Sequence, residues 1–259
     1  MKYALLLVAA AGTAILTAQT PIDRSWSALN AGLSDKSTDT RMKAARSLGL
    51  IAGNSKAQQL AEKALSDPKT EVQAAAADAL GQMGAKSSVS KLVEAAKSQD
   101  TAVVFAAANA LYTLGDPRAY EFYYAVLTGE RKSGASLIDS QMKMLKDPKA
   151  MAQLGLEQGL GFIPFASIGL SVFKTATKDD TSPVRAAAAQ KLIRDGDAKT
   201  SAALMAACSD KKWLVRIAVV DAIAKRGDAT LLKAVWPLLS DENDMVRFTA
   251  AAAILRLTK

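Results

Sequence analysis

Three arginines near the end of the chain, Arg185, Arg216 and Arg247, stand 31 residues apart, and each follows an aspartate by six: Asp179, Asp210 and Asp241. Arg41 stands in the same relation to Asp35. A guanidinium offers a planar fork of donors that a carboxylate accepts in parallel. A ladder of such pairs therefore either binds an external anion or ties one turn of the chain to another. An aspartate accompanies every arginine, so the charge is matched internally, and structural pairing is the expected role.

Other chemistry is excluded by what is missing. The 259 residues contain no histidine and one cysteine, Cys208. No Ser-His-Asp triad, Cys-His dyad, HExxH zinc site or histidine-ligated iron can be built from this chain alone. A lone cysteine forms no intramolecular disulfide. Cys208 ends the apolar run Ala202-Ala203-Leu204-Met205-Ala206-Ala207, which marks it as a buried structural thiol. No catalytic residue, metal site or cofactor is expected.

A ladder at fixed spacing needs elements at fixed spacing. The offsets recur upstream, in Asp67, Gln73 and Leu80 and, with the aspartate moved to Asp100, in Val104 and Leu111. Asp147-Pro148-Lys149 repeats Asp67-Pro68-Lys69 and leads to Gln153 and Leu160. Seven units result, with key positions 41, 73, 104, 153, 185, 216 and 247. Aliphatic residues follow each key position by seven: Leu48, Leu80, Leu111, Leu160, Leu192, Ile223 and Ile254. Positions three, four and seven beyond each key residue form one apolar helical face. Half of the residues are apolar, only 5% are aromatic, and alanine is abundant, a balance that favours closely packed helices over sheet. Each unit reads as an antiparallel pair, a first helix such as 229–239 and a second such as 214–225. One pair cannot cover its apolar face alone, so the units stack. The fold class is an all-α α-solenoid of about seven helix pairs.

The Asp-to-Arg spacing, the Val-Arg dipeptides, the alanine runs and the closing Gly-Asp resemble HEAT repeats, and the 31-residue period is similar to the bacterial subclass first associated with phycobilisome lyases. The resemblance covers about residues 22 to 259. It implies that each arginine bonds the aspartate and turn carbonyls of its own or a neighbouring repeat. It also implies that the second helices line a concave surface. There the plus-five column Arg46, Asp78, Asn109, Gln158, Gln190 and Asp221, interrupted at Ala252, would project towards a partner. A generic solvated ridge explains this column equally well. Among the functions of the family, hydroxylation needs His-Glu metal pairs, which a chain without histidine does not supply. DNA glycosylation would need a tryptophan-lined basic groove, and Trp26, Trp213 and Trp236 share no repeat position.

One gap between key positions is 49 residues rather than 31 or 32, which places an additional helical segment within about 116–146. Insertions in repeat arrays map to one face, often the binding face. Beside it Tyr112, Tyr120, Phe122, Tyr123 and Tyr124 gather five of the fourteen aromatics. Four aromatics within 120–124 cannot all face one core, so some are expected to be accessible to a partner or, alternatively, to pack under the insert. The uncharged, glycine-rich stretch 155–173 falls in the repeat register as helix, turn and helix, with membrane contact as the less favoured reading.

Residues 1–18 have the layout of a secretory signal peptide: Lys2, an apolar stretch over 4–16, and small residues before a cut after Ala18. An uncleaved anchor is the alternative. Cleavage leaves 19–259 as the solenoid and lowers the formal charge from +8 to +7. The bases are interleaved with acids, which suits a solvated surface better than a polyanion groove. The expected function is a non-enzymatic protein or peptide adaptor in the periplasm or secreted, binding along the concave face and at the insert. The alternatives are nucleic-acid binding or a lyase-type accessory role.

Overall fold

The computed structural model describes residues 19–127 and 182–258. The regular elements there are α1 (Pro21–Leu33), α2 (Thr38–Ser47), α3 (Ser55–Ala64), α4 (Thr70–Gln82), α5 (Val89–Ala95), α6 (Thr101–Thr113) and α7 (Arg118–Leu127). After residue 181 come α8 (Ser182–Lys191), α9 (Ala198–Ala207), α10 (Trp213–Arg226), α11 (Leu232–Val235) and α12 (Asp244–Leu257). The second helices α2, α4 and α6 pack side by side, as do α8, α10 and α12, with the first helices laid against them. This is the α-solenoid expected from the repeat.

Local chemistry sets the helix ends. The Thr20 hydroxyl accepts from the Asp23 N–H at 3.1 Å while the Asp23 carboxylate accepts from the Thr20 N–H at 3.3 Å. With Pro21 at the first position, this box starts α1 at one defined residue. Asp100 starts α6 by accepting from the Ala102 N–H at 2.9 Å, and Asn243 serves α12 in the same way. Gly84, Gly115 and Gly227 end their second helices at φ of 73°, 77° and 71°. Nothing lies within 4 Å of a Cβ built at any of the three, so the left-handed backbone alone requires glycine.

The core follows the apolar column. Leu48, Leu80, Leu111, Ile223 and Ile254 are fully buried, each contributing about 1.5–3 kcal/mol through removal of the side chain from water. Leu192, in the same column, is only partly buried. Alanine lets the second helices close up: a Cβ added to Gly81 would stand 2.8 Å from the Ala110 Cα. One expected helix is different in form. The span 229–239 divides into a 3-10 turn at Ala229–Leu231, the short α11, and a second 3-10 turn at Trp236–Ser240, because Pro237 supplies no N–H for a continuous helix.

The sequence did not announce how the ends lie. α12 packs against both α1 and α2, so the first and last units of the described chain are joined. Phe248 enters a pit at Gly32, where an added Cβ would come within 2.5 Å of the ring and 2.9 Å of the Ala44 Cβ. Arg256 donates to the Leu50 carbonyl at 2.9 Å, and Arg24 to the Ser240 hydroxyl at 3.0 Å.

Candidate functional site

The arginine ladder is a set of ties between consecutive units. Arg216 donates through Nε and Nη2 to the two carboxylate oxygens of Asp241 at 2.7 and 2.8 Å. Its Nη1 reaches the Asp210 and Lys211 carbonyls at 2.9 and 3.2 Å. Arg41 repeats the arrangement with Asp67 at 2.8 and 3.0 Å and with the Asp35 and Lys36 carbonyls. Arg185 pairs with Asp210. Each of these arginines therefore takes its carboxylate from the next unit, while Arg41 and Arg216 take their carbonyls from their own turn. The aspartate six residues before them contributes its backbone to that tie and its side chain elsewhere. Arg247, in the last unit, binds the Asp241 and Glu242 carbonyls and turns its free arm to Asp244 in its own helix.

Hydrogen bonds from Arg41, outweighing its own burial, hold the Asp67 carboxylate below its ordinary range, and the Asp67 bond raises Arg41. The Asp241 bond raises Arg216 likewise. Arg216 and Asp241 expose only 9% and 6% of their side chains, which leaves no open guanidinium for an anion.

The ladder has a gap, and neither side of it carries a charge. Gln73 keeps the carbonyl bond, donating to the Asp67 carbonyl at 2.7 Å, but has no charge. The residue that would face it in the next unit is Ser98, whose hydroxyl accepts from the Asp100 N–H at 3.1 Å. This is the turn bond that Asp67 makes to the Lys69 N–H. Asp100 meanwhile caps α6 instead of meeting an arginine.

The plus-five column is half-buried rather than projecting freely. Gln190 donates across units to the Ala218 carbonyl at 2.8 Å. Asp221 pairs with Lys225 at 2.8 Å. Burial pushes the Asp78 carboxyl up to about 6, partly offset by the charge of Arg46, and burial lowers Arg46. Asn109 is half-buried, and Ala252 is fully buried in α12. Gln158 and Asp179 lie outside the described residues. The Cys208 thiol is buried and pushed up to about 11, which keeps it protonated and unreactive.

The aromatic run is split by the helix. Phe122 packs against the core. Tyr120 is 63% exposed and Tyr112 58%, and their rings meet edge to face with centroids 6.0 Å apart at 85°. Phe105, 37% exposed, shares the Tyr112 face of α6 through the four- and seven-residue spacing. The side chains of Tyr123 and Tyr124 lie outside the described residues, as do the insert beyond Leu127, the stretch 155–173 and residues 1–18. The sequence pattern singles out Tyr112 and Tyr120 by the run but not Phe105, whose signal is its place one residue after Val104, in a column whose other members are Met42, Ala74, Leu154, Ala186, Ile217 and Phe248.

The inter-unit ties decide the kind of repeat, and a family model described as HEAT repeats matches residues 57–133 and 170–255. The chain belongs to the HEAT-repeat family. No curated protein matches this HEAT array. Among solved structures, the HEAT array is similar to an engineered protein that is 20% identical, over 91% of this chain and 96% of that one, at a TM-score of 0.29. It is also similar to a designed armadillo repeat protein that is 17% identical, over 89% of this chain and 98% of that one, at a TM-score of 0.27.

Proposed function

We propose that this HEAT-repeat protein is a non-enzymatic adaptor, exported to the periplasm or secreted, that holds a protein or peptide partner on the exposed aromatic face of α6 and α7. The observation that carries this reading is the Tyr112–Tyr120 pair. Two tyrosines stand largely in solvent in a chain whose core is built of alanine, leucine and valine. Tyrosine gives an interface a rigid apolar ring with a polar tip at small entropic cost, and such residues anchor binding hot spots. The repeat fold supports the same reading, since arrays of this kind typically serve as interaction scaffolds. Export rests on Lys2, the apolar stretch over 4–16 and the small residues before Gln19.

The polar column does not carry the proposal, because Gln190 and Asp221 are spent on bonds within the array. The ladder arginines are likewise spent, which weighs against a nucleic-acid groove. A photo-crosslinking amino acid placed at 112 or at 120 in the native host tests the proposal, with Gln59 on α3 as the exposed control. The expected result is one shared adduct from 112 and 120 that is absent from 59. Identical adducts from all three positions, or none from 112 and 120, overturn it.

A further inference from the structure

α6 and α7 present an aromatic corner beside a helix that carries no charge. The rings of Tyr112 and Tyr120 stand nearly perpendicular, at 85° with centroids 6.0 Å apart, so one forms a floor and the other a wall. Both are more than half exposed. Phe105, 37% exposed, lies on the same face of α6 two helical turns earlier, about 10 Å along the axis at about 1.5 Å per residue. From Thr101 to Thr113 α6 contains no Asp, Glu, Lys or Arg. The charges at the start of α7 are matched to one another. Arg118 donates to the two carboxylate oxygens of Asp116 at 2.8 and 2.7 Å, and the Glu121 charge falls on the same arginine.

These features select among the ways in which a protein grips a peptide. A phosphorylated or acidic segment needs open guanidinium groups, and Arg118 is held by Asp116. Strand addition needs a sheet edge, and the regular elements of the described residues are all helical. A charged amphipathic helix meets no counter-charge along α6. An uncharged polyproline II segment suits each condition. It makes no internal hydrogen bonds, so its carbonyls stay open to a tyrosine hydroxyl. Its pyrrolidine C–H groups carry the slight positive charge that the negative face of an aromatic ring attracts. Its three-residue turn rises about 9 Å, close to the step from Tyr112 to Phe105. Prolines one turn apart therefore reach the tyrosine corner and the phenylalanine together.

We propose that the partner of this face is an uncharged, proline-rich segment in the polyproline II conformation, gripped at the Tyr112–Tyr120 corner and, one peptide turn on, at Phe105. The inference rests on the adaptor reading of the same face and gives it a partner chemistry. Such a segment is extended before it binds, so little ordering entropy opposes association, and a small aromatic corner suffices to hold it.

The test uses the full mature chain labelled with 3-fluorotyrosine, its fluorine signals assigned by single tyrosine-to-phenylalanine variants. The probe is a synthetic peptide of four Ala-Pro-Pro triplets with capped ends. It is titrated beside its all-D enantiomer, which has the same composition and the opposite hand. The expected result is a saturable shift of the Tyr112 and Tyr120 signals by the L peptide, with the enantiomer at least about tenfold weaker. Tyr120→Ala, read at Tyr112, and Phe105→Ala, read at both tyrosines, should each weaken the L peptide at least about fivefold. Equal binding of the two enantiomers overturns the proposal, because it marks an undiscriminating apolar surface. So does the absence of any shift at millimolar peptide. Full-strength binding by Phe105→Ala overturns the matched spacing. The photo-crosslinks at 112 and 120 separate this failure from that of the adaptor reading. If the peptide fails while the shared adduct persists, the adaptor stands and its partner has another chemistry; if the adduct is missing too, both readings fall.

Discussion

Arg41 and Asp67, 26 residues apart, are joined by two parallel hydrogen bonds of 2.8 and 3.0 Å, while Asp35 in the arginine's own turn gives it only a backbone carbonyl. The repeat is thereby defined across its boundary. An aspartate shapes its own turn with one oxygen, as Asp67 does by accepting from the Lys69 N–H, and receives the arginine of the preceding unit. Spacing alone shows the six-residue partnership and not the longer one, because the longer one exists only once the units are stacked.

Arg216 and Arg185 occupy the same repeat position with different burial, which separates charge pairing from exposure. Arg216→Ala should lower stability by about 3 kcal/mol, since it strands the buried Asp241 carboxylate. Arg185 exposes 45% of its side chain, and Arg185→Ala should cost no more than about 1 kcal/mol. Equal losses in urea unfolding would remove burial as the reason for the difference.

The gap at Gln73 can be closed. Gln73→Arg alone places a charge opposite Ser98 and should be neutral or destabilising. Ser98→Asp alone adds an unmatched carboxylate. Together they rebuild the tie, and a double-mutant cycle should give a favourable coupling of about 1 kcal/mol or more. A coupling near zero would mean that the α4–α6 step, already drawn close at Gly81 and Ala110, has no room for the fork.

Asp78 and Glu62 predict opposite slopes of stability with pH. Asp78 titrates near 6 in the fold against an ordinary 3.8, so the folded chain binds the extra proton. Its contribution is therefore fully present below about 3.8 and is lost as pH rises to about 6. Glu62 is held at about 2; burial opposes this, but hydrogen bonds from Lys91, Ser88 and Gln58 and the Lys91 charge outweigh it. Its contribution is present above 4.5 and is lost as pH falls towards 2. Asp78→Asn should flatten the melting-temperature profile between about 4 and 6, and Glu62→Gln should flatten it between about 2 and 4.5. Unchanged profiles would show that these carboxyls titrate as in the unfolded chain.

Much of this was legible because helical periodicity and alanine content are one-dimensional signals. Among the described residues, the seven-residue aliphatic column mapped onto a buried line of leucines and isoleucines, with Leu192 its one loosely covered member. The joint of α12 with α1 was not legible, since it brings together residues more than 200 positions apart in sequence, such as Arg256 and Leu50. Two marks of it were nevertheless present. Ala252 breaks a column that is polar in the other six units, and Phe248 stands where those units carry Met42, Ala74, Phe105, Leu154, Ala186 and Ile217. In the fold both lie on the buried side of α12. The polar column is legible as a polar line on the second helices, but sequence shows polarity and not its satisfaction. Gln190 and Asp221 find their partners within the array.

Tyr120 provides the sharpest test of the proposed function, because its two possible roles give opposite patterns. Its ring is 63% exposed and touches Tyr112 edge to face, whereas Phe122, two residues on, packs against the core. Tyr120→Ala should therefore change stability by less than about 0.5 kcal/mol, the range for a surface site. Phe122→Ala should cost about 2 kcal/mol or more through lost burial. Against the partner identified by crosslinking, Tyr120→Ala should weaken binding by more than about 1 kcal/mol, roughly fivefold or more in Kd. Tyr112→Ala should do the same, with the double variant falling short of the sum because the two rings support each other. If Tyr120→Ala instead lowers the melting temperature and leaves binding untouched, the ring is packing, and the face of α6 and α7 is not where a partner sits.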